Sequence, residues 1–302
     1  MKIVFFGTPI FAAQNLQYLI ENNFEISAVV TTQDQIKVRG KKLIASDVKK
    51  LALENNIPII EYNILLIDNI IKKLKKINAE LFVVVAFKKL PINIWSLPKK
   101  GTINLHASLL PNYRGAAPIK RAIMNLEKKT GISIMKINSQ LDEGPVCKSY
   151  EIDINEKDSS DDLSEKLSDL AVEKILDDID DILDDKAKFK DQDHSKANYA
   201  KKINKKESSI DWNTPAKSVI AKINGLNGAH FIFQGARYKI LKAELNNLSG
   251  KPGEIIGDSL EIACKEKSIK VMMIQREGKK PQKTPEFLLG SQIKKGLFLS
   301  NV

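Results

Sequence analysis

The stretch NLHASLLPNYRGAAP, residues 104–118, follows a short apolar run that starts at Gly101 and is typical of a β-strand. Its two prolines and its glycine exclude regular secondary structure throughout, so the strand is expected to open into a loop. Side chains two residues apart on a strand point to the same side, which places Asn104 and His106 on one face. Open α/β sheets bind ligands at the carboxyl ends of their strands. The stretch therefore predicts an α/β fold with a functional site at this loop.

The residues on the amino-terminal side alternate apolar runs with helical patterns. Lys2–Phe6 reads as a strand, and the turn at Gly7 leads into a helix over about residues 10–22. This is the first half of a mononucleotide-binding unit, but the full Gly-rich fingerprint is absent, which argues against a dinucleotide site. The near-continuous apolar run Leu81–Phe87 predicts a central parallel strand buried on both faces. Residues 1–184 are thus predicted to form a Rossmann-like, mostly parallel sheet.

The side chains of the loop suit acyl transfer between two nitrogens. Such a reaction passes through a tetrahedral carbon that bears an oxyanion, and each fixed donor lowers the barrier by a few kcal/mol. Asn104 can donate from its amide, and His106 can donate as an imidazolium or carry a proton. A carboxylate beside His106 would orient the ring. Asp142, in the turn-like segment QLDEGP at 140–145, is the candidate.

Each motif also has an ordinary structural explanation. An isolated Asn-x-His pair usually satisfies backbone groups in a loop, and an isolated Asp-x-Gly is usually a turn. Arg114 is predicted either to contact phosphate or another part of a bound ligand, or to form a structural ion pair. His194 and His230 are interpreted as surface or barrel residues. The combination of Asn104, His106 and Asp142 around one Pro- and Gly-bounded loop favours a functional interpretation.

Taken together, the motifs resemble the signature of the 10-formyltetrahydrofolate-dependent formyltransferase family. The motifs are Asn104-x-His106, Ser108-Leu-Leu-Pro111-x-Tyr113-Arg-Gly115 and Leu141-Asp142-x-Gly144. Further segments are similar to the methionyl-tRNA formyltransferase branch of that family: Gly7-Thr-Pro9-x-Phe11, Arg39-Gly-Lys-Lys-Leu43 and Gly115-Ala-Ala-Pro118-Ile-x-Arg121. The resemblance covers nearly the whole chain and is densest over residues 1–150.

The resemblance implies transfer of the formyl group of 10-formyltetrahydrofolate to the α-amino group of methionyl initiator tRNA, a step of translation initiation that needs no metal. It implies the catalytic residues Asn104, His106 and Asp142. The folate-binding residues that it implies are Phe87, Ser108, Leu109, Leu110 and Pro111. The tRNA-binding residues that it implies lie in the basic segment 34–42 and are Lys37, Arg39, Lys41 and Lys42.

The carboxyl-terminal part of the chain has a different pattern. Residues 185–206 are polar and without apolar periodicity, which predicts a linker. Five short alternating runs then predict a small OB-like β-barrel within residues 207–302. These runs are Ala229–Phe233, Arg237–Leu245, Gly253–Ile256, Leu260–Cys264 and Ile269–Ile274. The resemblance implies that this domain holds tRNA through basic side chains.

The charge distribution is uneven. Residues 1–150 hold 22 Lys and Arg against 11 Asp and Glu, residues 151–193 hold 6 against 17, and residues 204–302 hold 17 against 9. Two basic bodies suit a polyanionic partner, although a lysine-rich composition would give the same excess. The acidic segment coincides with a long amphipathic helix that begins near Ser160, and its acidic face is predicted to be exposed.

Composition also bounds the location of the chain. Two cysteines, Cys147 and Cys264, lie far apart and lack disulfide or metal spacing, which fits a reducing compartment. No apolar run approaches the roughly 20 residues of a membrane span. The chain begins directly with a strand-like segment, so no leader is expected. These observations predict a cytoplasmic protein without a membrane partner. The chain is also expected to be a monomer, although none of these observations bears on its oligomeric state.

Three other functions fit part of the pattern. A sugar-nucleotide or glycinamide-ribotide formyltransferase would share the three catalytic residues but would not need the basic segments. A folate hydrolase would use the same residues with water as the acceptor. An RNA-binding module with a relict enzyme fold would use the basic barrel alone, and the intact Asn-His-Asp set argues against it.

Overall fold

A computed structural model describes residues 1–36 and 43–299 of the chain. It divides into two compact units. The first unit comprises the described residues of Met1–Gly115, Thr130–Ile152 and Ser164–Tyr199. The second comprises the described residues of Ala116–Lys129, Asp153–Leu163 and Ala200–Val302. The domain boundaries at residues 184 and 207 stay a prediction.

The strands are β1 (Ile3–Gly7), β2 (Ile26–Thr32), β3 (Gln35–Ile36), β4 (Leu43–Ile44), β5 (Ile59–Tyr62), β6 (Leu81–Val85), β7 (Thr102–His106), β8 (Lys129–Lys136), β9 (Val146–Asp153), β10 (Ala229–Phe233), β11 (Ala236–Asn246), β12 (Glu261–Ala263), β13 (Ser268–Arg276) and β14 (Gln282–Lys283). The α-helices are α1 (Ile10–Glu21), α2 (Asp47–Glu54), α3 (Ile67–Ile77), α4 (Ile92–Trp95), α5 (Pro118–Met124), α6 (Ser160–Leu183), α7 (Ala216–Gly225) and α8 (Thr284–Leu289).

The large sheet has the order β5-β2-β1-β6-β7-β8-β9. Strands β5, β2, β1, β6 and β7 run parallel, and β8 runs antiparallel to β7. All five residues of β6 are buried, as expected for a central strand covered on both faces. The mostly parallel α/β sheet predicted from the sequence is therefore confirmed.

The register of β6 and β7 places the loops that follow these two strands side by side. Val84 of β6 pairs with Asn104 of β7, and Val85 pairs with Leu105. Because the two strands are parallel and in contact, the chain leaves β6 beside the point where His106 ends β7. This edge of the first unit carries the candidate site.

The second unit contains an antiparallel sheet of order β10-β11-β13-β12, with β14 paired to β13. Its core includes fully buried Trp212, Phe231 and Ile262. The predicted strand over residues 253–256 is wrong, since among the described residues this segment makes only the isolated bridges Glu254–Phe298 and Ile255–Ile262. The fifth strand of the sheet is the short β14 instead.

A glycine permits close helix packing in the second unit, where α5 packs on α7. A Cβ atom added at Gly225 would lie 2.7 Å from Met124 Cγ and 2.9 Å from the Lys120 carbonyl oxygen. We expect Gly225→Ala to lower the free energy of unfolding by about 2 kcal/mol, because the backbone oxygen cannot move away cheaply. Thermal unfolding tests this expectation. Gly290→Ala is the matched control, since no atom of residues 1–36 and 43–299 lies within 4 Å of its added Cβ. Equal melting temperatures for the two variants would contradict the prediction.

Candidate active site

Strand β7 presents both predicted donors at its carboxyl end. His106 is nearly buried, and its Nε2 lies 3.0 Å from the carbonyl oxygen of Tyr113. Since a carbonyl oxygen only accepts hydrogen bonds, Nε2 carries a hydrogen in this arrangement. Nδ1 faces the Asp142 carboxylate, 3.8 Å from Oδ2, which is too long for a hydrogen bond but close enough for an ion pair once the ring is charged.

Asp142 is held in place by its own backbone and by the opposite loop. Its φ is 54°, in the left-handed region that Asp tolerates better than most residues. Its Oδ2 accepts a hydrogen bond of 2.8 Å from the backbone N–H of Gly115. The turn is pressed against β8, because a Cβ on Gly144 would lie 1.8 Å from the Lys136 carbonyl oxygen. The carboxylate is therefore fixed relative to His106.

Asn104 lies two residues before His106 on the same strand and is half-buried. Its side chain forms no hydrogen bond with any residue in 1–36 or 43–299. Its amide N–H groups are thus available to a bound molecule. The arrangement offers a neutral donor and a chargeable ring, the pair that stabilises an oxyanion.

A buried serine of β8 forms hydrogen bonds with the backbone of the loop at Ser108–Pro111. Ser133 Oγ donates to the Ser108 carbonyl oxygen over 2.8 Å and accepts from the Leu110 N–H over 3.0 Å. The Ser108 hydroxyl donates within the loop, 2.6 Å from the Asn112 carbonyl oxygen. The Leu110–Pro111 peptide bond is cis. The Ser108 side chain is therefore committed to the shape of the loop, and the half-buried apolar side chains of residues 109–111 remain for contact with a ligand.

Phe87 lies two residues beyond β6, next to the site. Its ring packs edge-on against Phe6, with centroids 5.8 Å apart, and against Tyr62 at 5.3 Å. Burial raises the pKa of the Tyr62 hydroxyl. The Phe87 ring is only partly buried, so one part of it stays accessible.

Arg114 forms a structural ion pair, the second of its two predicted roles. Its side chain is 1% exposed and lies 3.3 Å from Glu143 Oε1. It also donates to Gln192 Oε1, at 3.1 Å from Nε and 2.8 Å from Nη2. His194, interpreted from the sequence as a surface or barrel residue, adjoins this cluster, since its Nδ1 lies 3.2 Å from Arg114 Nη2.

Sequence reasoning missed Gln192 and Asn198, which lie in the stretch predicted to be a linker. Gln192 is buried, and Asn198 Oδ1 accepts a hydrogen bond of 2.6 Å from the backbone N–H of Tyr113. The residues around them are polar, as in a linker. An uncharged glutamine within a charged stretch was the one signal in the sequence that could have drawn attention to Gln192. The segment therefore contributes contacts to the loop that ends at Gly115.

The predicted tRNA-binding residues Lys37, Arg39, Lys41 and Lys42 lie outside the described residues.

Within residues 1–36 and 43–299, no group of three His, Cys, Asp or Glu side chains could hold a metal ion. In the same part of the chain, no helix has the length and apolar character needed to cross a bilayer.

Two family models match the chain in sequence order. The model described as Formyl transferase matches residues 1–179, and the one described as Formyl transferase, C-terminal domain matches residues 202–292. This chain belongs to the formyl transferase family. A relative within that family, the methionyl-tRNA formyltransferase of Pelagibacter ubique (strain HTCC1062), is 50% identical over 307 residues, which cover 100% of this chain and 99% of the relative.

Solved structures share the fold of this formyl transferase at lower identity. The methionyl-tRNA formyltransferase from Clostridium thermocellum aligns with a TM-score of 0.59 and 18% identity, over 82% of this chain and 94% of that one. WlaRD, a sugar 3N-formyl transferase solved in the presence of dTDP and 5-N-formyl-THF, aligns with a TM-score of 0.65 and 20% identity, over 93% of this chain and 99% of that one. These similarities concern the fold alone.

Proposed function

We propose that this chain transfers the formyl group of 10-formyltetrahydrofolate to the α-amino group of methionyl initiator tRNA. The observation that carries the proposal is the pairing of His106 with Asp142 at 3.8 Å beside Asn104, in a chain similar over its full length to a methionyl-tRNA formyltransferase. The product starts protein synthesis, so the reaction belongs to the cytoplasm. No observation favours a second function over this one.

The proposed mechanism uses three side chains. The neutral amine attacks the formyl carbon, and the carbonyl oxygen becomes an oxyanion in the tetrahedral intermediate. Asn104 donates to that oxygen from its amide, and the His106 imidazolium donates beside it. In the structure Nε2 donates to the Tyr113 carbonyl oxygen, so the substrate oxygen replaces that acceptor when Nε2 acts.

Proton transfers complete the reaction. The attacking nitrogen loses a proton to Asp142, directly or through water, as the new C–N bond is formed. The departing N10 of the folate receives a proton from His106 as its bond to the formyl carbon breaks. The proton held by Asp142 then returns to His106, which restores the starting charges. General acid–base catalysis of this kind contributes about 10²–10⁴-fold to the rate.

Folate is proposed to bind between the Ser108–Pro111 loop and the exit of β6. The loop has a fixed shape, because Ser133 holds two of its backbone groups. Leu109, Leu110 and Pro111 supply apolar surface, and Phe87 supplies an aromatic edge on the other side. Ser108 acts by holding the loop, since its hydroxyl is committed to the Asn112 carbonyl oxygen.

Transfer RNA is proposed to contact the basic segment with Lys37, Arg39, Lys41 and Lys42, and separately the antiparallel sheet of the second unit. On β11, Lys239 lies between the buried residues Tyr238 and Ile240. The irregular register after Ile240 keeps Lys242, two residues further on, exposed. Within residues 1–36 and 43–299, neither lysine has an ion-pair partner. These two side chains are therefore available for phosphate groups.

Transfer of labelled formyl from 10-formyltetrahydrofolate to charged initiator methionyl-tRNA tests the proposal. Glycinamide ribotide, a 4-amino-sugar nucleotide and water serve as competing acceptors in parallel reactions. We expect label in the tRNA alone. Label in a small acceptor, or release of formate, would retain the three catalytic residues and contradict the tRNA as acceptor.

A further inference from the structure

Gln192 links two segments that together hold the Asp142 carboxylate. Its Nε2 donates to the carbonyl oxygens of Asp142, at 2.9 Å, and Gly144, at 2.7 Å. Its Oε1 accepts from the Arg114 guanidinium at 2.8 and 3.1 Å. The two carbonyl oxygens need a donor and the guanidinium needs an acceptor. The Gln192 amide can satisfy both in only one orientation, which fixes which of its two atoms is Nε2 and which is Oε1.

These contacts close a ring around the carboxylate. Arg114 holds Gln192, and Gln192 holds the backbone of Asp142. The next residue after Arg114, Gly115, donates its N–H to Asp142 Oδ2 at 2.8 Å. The turn is therefore fixed from two directions, by its backbone and by its carboxylate. The contact with the backbone begins at Arg114, and the contact with the carboxylate begins at Gly115, the next residue of the loop that follows β7.

Burial makes this ring sensitive to any lost partner. The exposures of Arg114 and Gln192 are 1% and 8%. A buried guanidinium is costly unless its donors are satisfied, and Gln192 and Glu143 supply acceptors here. Removing the acceptor or the donor side of Gln192 would leave buried polar groups without partners, so the turn would shift to recover them.

We infer that Gln192 is a positioning residue for formyl transfer, which keeps the Asp142 carboxylate at its distance from His106. The inference rests on the proposed function. Gln192 lies between the two regions matched by the family models, which end at residue 179 and resume at residue 202. The segment between these two regions thereby takes part in the geometry of the candidate active site.

Gln192→Glu separates positioning from simple anchoring of the segment. The new carboxylate keeps an acceptor for Arg114, so the segment remains attached. This carboxylate cannot donate to the carbonyl oxygens of Asp142 and Gly144. Its negative charge repels these oxygens, so the turn is expected to move away. A displacement of about 1 Å at a reacting group costs about 100-fold in rate. We expect kcat for formyl transfer to fall about 10- to 100-fold, with the KM for 10-formyltetrahydrofolate and tRNA changed less than about twofold.

A double-mutant cycle with Asp142→Asn gives the readout that an anchoring role would not produce. If Gln192 acts through the carboxylate, Gln192→Glu should lower kcat little further once that charge is gone. Asp191→Asn is the control, because Asp191 is the exposed neighbour and has no partner among residues 1–36 and 43–299. Gln192→Met, which has the same length but neither hydrogen bond, carries the same expectation if the charged variant does not fold.

Two outcomes would overturn the inference: normal kcat in Gln192→Glu or Gln192→Met, or a full multiplicative loss when either is combined with Asp142→Asn. Thermal unfolding of each variant shows whether the protein is folded during the assay. The unmodified chain is assayed in parallel with charged initiator tRNA. Absence of transfer by the unmodified chain would refute the proposed function itself, which is a different result from a normal rate in the variants.

Discussion

Asp142→Asn should lower the kcat of formyl transfer by about a thousandfold. The asparagine fits the left-handed backbone at this position and still accepts the Gly115 N–H, so the turn keeps its shape. What disappears is the negative charge 3.8 Å from His106 Nδ1. Two unit charges about 4 Å apart interact by about 4 kcal/mol at an effective dielectric constant of 20. Loss of that stabilisation from a transition state with a charged ring corresponds to about three orders of magnitude in rate.

Single-turnover transfer with both substrates saturating measures this effect without a contribution from binding. Asp185→Asn is a matched control, because Asp185 also has a left-handed backbone, with φ 59°, but forms an exposed ion pair with Lys100. The control should transfer formyl at the rate of the unmodified chain. A normal rate in Asp142→Asn would remove the carboxylate from the mechanism, whereas an equal loss in both variants would indicate a general effect of charge.

The position of the two donors at the end of β7 could be predicted because it depends on local geometry. The two-residue period of a strand places Asn104 and His106 on one face whatever the rest of the chain does. The continuous apolar run of β6 likewise indicated a central parallel strand, and the structure places this strand between β1 and β7. The approach of Asp142 to His106 needed the resemblance as well, since the two lie 36 positions apart in the sequence.

Contacts between distant segments of mixed polarity could not be predicted. Arg114 and Gln192 lie 78 residues apart, and nothing in the periodicity around either one indicates a buried pair. The acidic face of α6 gives a second case, because Asp178 was expected in solvent but is fully buried. It accepts hydrogen bonds from Tyr150 and contacts Lys148 at 2.9 Å, while burial and the Asp178 charge raise the pKa of the Tyr150 hydroxyl.

The affinity of the chain for tRNA should fall about a thousandfold between roughly 50 and 200 mM salt. Each phosphate neutralised by a lysine or arginine releases condensed counterions, and six to ten such contacts give losses of about 10³–10⁵ over that range. Replacing Lys239 and Lys242 by glutamine should flatten the slope of log affinity against log salt by about 2. The kcat at saturating tRNA should hardly change, since neither side chain belongs to the candidate active site. Filter binding or fluorescence anisotropy across a salt series measures both quantities.

A control with the same change in net charge shows whether the change in salt slope is specific to the antiparallel sheet of the second unit. Lys72 and Lys73 lie on the exposed side of α3, and neither has an ion-pair partner among residues 1–36 and 43–299. Their replacement by glutamine changes the net charge by the same amount as the variant of β11. If tRNA senses only the overall excess of positive charge, both variants should weaken binding equally. If it contacts the sheet of the second unit, only the β11 variant should alter the salt slope. A slope near zero for the unmodified chain would exclude phosphate contacts as the source of affinity.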